Sequence, residues 1–193
     1  GGGREFYGET LQANDKTLNV SFNTQHVRTD LPMTCFADVA ASSSEHSTFT
    51  LQLAGKSTMV TIKPISTSDF ETKAESGTML LKTYPQTTGR QNVVLYYDYA
   101  SSESSSMGYV NYIELNVPLQ LTLQGSAISI CNTNYLFQTR NTRFTLTNAT
   151  ATTQIWRVTD GVNIEQIPTT INQNQMTWIG SNAQVEKYMA VDV

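Results

Sequence analysis

Residues 92–117 read NVVLYYDYASSESSSMGYVNYIELNV. Two runs, 93–99 and 109–117, are dense in β-branched and aromatic residues and flank a serine-rich connector. Such residues fit a pleated, half-buried surface, so both runs are expected as strands. With one short connector between them, the two are expected to form a hairpin.

Outward from this pair the same period of two recurs. Leu18, Val20 and Phe22 alternate with Asn19, Ser21 and Asn23. Met33, Cys35, Ala37, Val39 and Ala41 share one face of the next strand, as do Phe49, Leu51 and Leu53 of the one after. Ala54-Gly55-Lys56-Ser57 reads as a hairpin turn leading into a strand with Val60 and Ile62 inward. Residues 70–75 read as a strand or one helical turn, broken at Ser76-Gly77 before a strand over 79–84. Leu119, Leu121 and Leu123 alternate again, so 115–123 also reads as one long strand that crosses between sheets. Short strands are expected at 4–11, 127–131, 135–139, 143–146, 154–158, 164–167, 175–179 and 185–191, separated by turn signals such as Asp160-Gly161. Many short strands and no helical period predict an all-β fold, an antiparallel β-sandwich of jelly-roll type. The reading favours one unit over 1–193. A weak break near Pro118 would divide it into a sandwich over 4–118 and a small β subdomain over 119–193.

Composition narrows the function. The chain has 193 residues, enough for one large sandwich or two small domains. Charged residues make up 15%, against roughly 25% in ordinary domains. Ser, Thr, Asn and Gln fill the gap and favour strands and turns over helices. The net charge of −4 leaves no basic stripe to neutralise phosphates, which argues against a nucleic-acid partner. No apolar run approaches the ~20 residues of a membrane helix.

Candidate chemistry is sparse. Cys35 and Cys131 read first as two buried free thiols, and second as a disulfide in an oxidising compartment. With only His26 and His46 beside them they make no zinc site, and no metal or cofactor is expected. His46 sits in the string Ser42-Ser43-Ser44-Glu45-His46-Ser47, which reads as a solvated loop, since sequence neighbours seldom hold triad geometry. Asp98 and Glu114 stand on the two arms of the opening stretch, where a hairpin would let them face each other as a carboxylate pair, but single acids on strand faces read first as solvent-exposed. Tyr96, Tyr97, Tyr99, Tyr109 and Tyr112, with Trp156 and Trp178, carry two readings. The ordinary one is core packing and cross-strand aromatic pairing. The other is a carbohydrate-binding or adhesin surface, for which Tyr96, Tyr97, Tyr99, Trp156 and Trp178 are the candidates.

Three segments carry a resemblance. They are Gly3-Arg4-Glu5-Phe6-Tyr7-Gly8-Glu9, then Met107-Gly108-Tyr109-Val110-Asn111-Tyr112-Ile113-Glu114-Leu115, then Ile155-Trp156-Arg157-Val158-Thr159-Asp160-Gly161. The chain closes on Tyr188-Met189-Ala190-Val191-Asp192. In order and spacing these resemble the non-catalytic β-rich region in front of the peptidase domain of PorU-type, gingipain-related proteins, a family that includes the cell-surface sortase of the type IX secretion system. The resemblance implies an accessory β-domain without activity of its own, placed outside the cell or on the outer-membrane surface. Its implied partners are the peptidase domain downstream in the same polypeptide and an outer-membrane anchor protein. The family's catalytic Cys and His lie in that downstream α/β domain. Cys35 and Cys131 do not match them, so no catalytic residue carries over.

Overall fold

The structure, a computed structural model, describes residues 8–12, 15–66, 73–100, 104–132 and 140–193. Expectations placed on 4–7, 70–72 and 135–139 lie outside the described residues. The chain divides into two compact units, 1–119 and 120–193, each with its own core. The sequence reading favoured one unit with a weak break near Pro118.

The first unit holds β1 (Glu9–Leu11), β2 (Thr17–Phe22), β3 (Met33–Ser42), β4 (Ser47–Leu53), β5 (Lys56–Ile62), β6 (Glu75–Thr83), β7 (Gln91–Tyr99) and β8 (Met107–Asn116). They form two antiparallel four-stranded sheets, ordered β1-β8-β3-β6 and β2-β7-β4-β5. Every consecutive pair except β4–β5 changes sheet. This is the jelly-roll order, so the predicted all-β sandwich is what the residues form. Side chains of alternate parity from both sheets close one core, with Cys35, Ala37 and Val39 of β3 against Phe49 and Leu51 of β4 and Val93, Leu95 and Tyr97 of β7. The small residues of β3 leave room for those larger partners.

The two arms of the opening stretch are not a hairpin. β7 pairs with β2 and β4, whereas β8 pairs with β1 and β3. The serine-rich connector therefore links one sheet to the other. Two packing contacts hold this arrangement. A Cβ at Gly108 of β8 would sit 2.8 Å from Phe49 Cζ and 2.9 Å from Tyr97 Cγ, so only glycine lets those rings lie against the β8 backbone. The Tyr97 hydroxyl also meets Ser106 Oγ at 2.7 Å. The turn chemistry of a real hairpin occurs instead at Ala54-Gly55, where φ is 49° and 72°. Positive φ at both central residues matches the twist of the flanking strands, and β4 and β5 pair from Leu53 opposite Lys56.

Two further local readings are corrected. β6 runs unbroken through Ser76-Gly77, because that glycine serves close approach rather than a turn. A Cβ there would lie 2.5 Å from Ile62 Cδ1 and 3.1 Å from Val60 Cγ2. β8 ends at Asn116, and 117–126 holds only isolated bridges at Leu119 and Thr122, not a long crossing strand.

The second unit holds β9 (Ala127–Cys131), β10 (Thr142–Thr147), β11 (Thr153–Arg157), β12 (Glu165–Gln166), β13 (Thr170–Asn172), β14 (Gln175–Gly180) and β15 (Lys187–Asp192). Its sheets are ordered β10-β14-β13 and β12-β11-β15-β9, all antiparallel. Phe144, Leu146, Ile155, Met176, Trp178, Tyr188 and Ala190 fill the core from both sheets. The turn before β11 is tied to β15 by the hydroxyls of Thr150, Thr152 and Thr153, which all donate to Asp192 Oδ1. Those bonds favour the carboxylate and lower its pKa below the ordinary 3.8, the Thr150 bond most. The stabilisation is therefore fully present above that ordinary value and is lost as pH falls through the lowered one. Thermal melts at pH 7 and pH 3 should show a smaller acid loss for Asp192→Asn than for the unmodified chain.

Candidate functional site

The aromatic candidates do not share a surface. Tyr97 is fully buried, with its ring centroid 4.6 Å from Phe49 and 5.4 Å from Tyr99. Trp178 is 2% exposed, stacked 5.0 Å from Phe144 and edge-on to Tyr188 at 5.7 Å. Neither ring has a face to offer a sugar, so both leave the proposed binding set. Parity is the reason: Tyr97 follows Val93 and Leu95 inward, and Trp178 follows Met176. Tyr96 is exposed on the opposite side of β7. Tyr99 is half-buried on the core side, beneath Lys16 Nζ at 4.2 Å from its ring centroid. Trp156 is half-buried on β11, in the other unit.

The remaining candidates are also separated. Asp98 and Glu114 lie on the two outer faces of the jelly roll, and so cannot flank one substrate as a carboxylate pair. Asp98 is 3.8 Å from Lys16 Nζ, and Glu114 Oε1 accepts 2.6 Å from Asn116 Nδ2. His26 and His46 are both exposed. Cys35 is in the core, where burial pushes its thiol up to about 11, and it is a protonated thiol at neutral pH. Cys131 is exposed on β9, contrary to the reading of two buried thiols, because β9 turns that parity outward. Both are free, so the disulfide reading fails. Among the described residues no three His, Cys, Asp or Glu side chains gather as a metal site.

Two arrangements were not read from the sequence. In the second unit, the Glu186 carboxylate is 6% exposed yet fully partnered. It accepts from the Ser181 backbone N–H at 2.8 Å, from Arg157 Nη1 at 3.3 Å and from the Tyr188 hydroxyl. Arg157 also pairs with Glu165. Glu165 first and then Glu186 hold the guanidinium pKa above its ordinary value, while burial pushes the Tyr188 hydroxyl up. The cluster joins β11, β12 and β15, and its charges are spent on one another, which makes it a fastening of the sheet. In the first unit, Phe36 and Tyr112 form an aromatic pair on the outer face of the β1-β8-β3-β6 sheet, with centroids 5.6 Å apart. Phe36 carries no signal of its own, because it stands among small inward residues on β3 and its partner is 76 positions away. A shallow groove of about 520 Å³ lies on the second unit, lined by Arg143, Ile167, Pro168, Thr170, Thr177 and Ile179 and reached by the edge of the buried Trp178.

No family model matches the chain, and no curated protein matches it by sequence. Among solved structures it is similar to dimeric latent PorU from Porphyromonas gingivalis, with a TM-score of 0.82 at 14% identity. The likeness covers 98% of this chain and 19% of that one, so the chain spans about a fifth of the neighbour's length. At that identity what is shared is the fold.

Proposed function

We propose that this chain is a non-catalytic accessory β-module of a gingipain-like cell-surface cysteine peptidase of the type IX secretion kind. The observation that carries the reading is the fold likeness to PorU over 98% of the chain. The three motif segments around Glu9, Tyr112 and Trp156 support it. The module acts as a scaffold. It packs against the peptidase domain of its own polypeptide and helps position substrate or an outer-membrane anchor protein, on the extracellular side. Cys35 is a protonated thiol buried in the core, neither accessible nor nucleophilic, and the exposed Cys131 stands in the other unit from both histidines. The purified chain, assayed on peptide substrates with and without a thiol-alkylating reagent, should give no cleavage above background. Thiol-dependent cleavage that survives repurification would overturn the reading.

A further inference from the structure

The outer face of the β1-β8-β3-β6 sheet carries more than an isolated ring pair. Phe36 on β3 stands between Glu114 on β8 and Leu80 on β6, and one step along the strand Asp38 stands opposite Tyr112. Their chain neighbours Ala37, Met79, Ile113 and Leu115 pack on the core, so this row faces outward. Tyr112 remains 46% exposed and Leu80 65%. The register of β8 against β3 slips between Asp38 and Val39, which leaves Asn111 as an extra residue beside Asp38. Asn111 Nδ2 donates to Asp38 Oδ2 at 3.0 Å, and Asn116 Nδ2 donates to Glu114 Oε1 at 2.6 Å. An aromatic pair held in a fixed stack is thus flanked by two amide–carboxylate pairs.

We propose that this face binds glycan, taking one or two neutral pyranose rings against Tyr112 and Phe36. The aromatic face is electron-rich and attracts the polarised C–H groups of a sugar ring. Among the described residues each amide–carboxylate pair keeps an unused carboxylate oxygen and a second amide N–H, the acceptor and donor that adjacent sugar hydroxyls need. The ring stack and the side-chain bonds are already formed, so little ordering is lost on binding. The ring pair and its flanking polar groups make a small, charge-broken patch within the sheet face. Two strand gaps by four residues span about 10 Å by about 14 Å, the footprint of a disaccharide. A stable protein interface needs about 800 Å² per partner and a core depleted of charge, whereas Asp38, Glu114 and Lys82 break up this face. The inference is independent of the peptidase reading and survives if that reading fails.

Affinity electrophoresis of the chain through gels containing laminarin, yeast mannan or dextran tests it. Retardation by at least one polysaccharide is expected. It should weaken at least tenfold in Tyr112→Ala and again in Glu114→Ala, an exposed position whose loss leaves the fold intact. Tyr96→Ala, on the opposite outer face, should leave retardation unchanged. No retardation by any of the three would overturn the proposal. So would retardation that persists in both Tyr112→Ala and Glu114→Ala, or that is lost in Tyr96→Ala alone.

Discussion

Tyr97→Ala should destabilise the jelly-roll unit by about 3–5 kcal/mol, the range for emptying a buried aromatic site. The ring has no exposed surface, and it packs on Phe49, Tyr99 and the bare backbone of Gly108. A cavity there cannot collapse cheaply, because its walls are backbone and ring atoms from both sheets. Its hydroxyl also meets Ser106 Oγ, and Ser106 is 1% exposed. Removing the hydroxyl strands a buried polar group, which costs about 1–3 kcal/mol. Tyr97→Phe should therefore show that smaller loss alone. Set against a typical domain stability of about 5–15 kcal/mol, the alanine variant loses about a fifth of its margin or more. Urea titration followed by circular dichroism measures both. An alanine variant as stable as the unmodified chain would mean that Tyr97 lies outside the core.

Trp178→Ala should cost the second unit a comparable amount, about 3–5 kcal/mol. Trp178 is the centre of a three-ring cluster with Phe144 and Tyr188, which join the two sheets of that unit. One feature separates it from Tyr97: its indole Nε1 is buried without a hydrogen-bond partner among the described residues. A buried unsatisfied donor costs about 1–3 kcal/mol, so the side chain stabilises less than its size suggests. Trp178→Phe removes that donor while keeping a ring against Phe144, and should be much milder than the alanine variant. Equal losses for Phe and Ala would show that a phenyl ring at this position recovers no packing against Phe144. Thermal unfolding of the two variants side by side gives the comparison.

Both residues were candidates for a binding surface, and the signal that places them inside is in the chain itself. Tyr97 has the parity of Val93 and Leu95, and Trp178 that of Met176. Alternation states which face of a strand is buried, and it located β2, β3 and β4 with their inward residues. It does not state which strand is the hydrogen-bonded neighbour. That is why β7 and β8 read as a hairpin when they belong to opposite sheets, and why Asp98 and Glu114 seemed able to meet. Gly77 was misread for a related reason, and Gly108 carried no signal. Gly77 and Gly108 answer to side chains from other strands, which sequence neighbours cannot reveal, whereas Gly55 answers to its own turn and was legible. The bulge at Asn111 reverses the inward parity of β8 between Val110 and Ile113, so no single period describes that strand. The Phe36–Tyr112 pair and the Arg157–Glu186–Tyr188 cluster are likewise products of register and of side chains far apart in the chain.

The accessory-module reading is tested most directly by sequencing the native gene past the codon for Val193. The expected result is an open frame that continues into an α/β region carrying a well-separated His and Cys. A stop codon soon after Val193 would contradict the reading and leave a free-standing β protein whose function rests on its own surfaces.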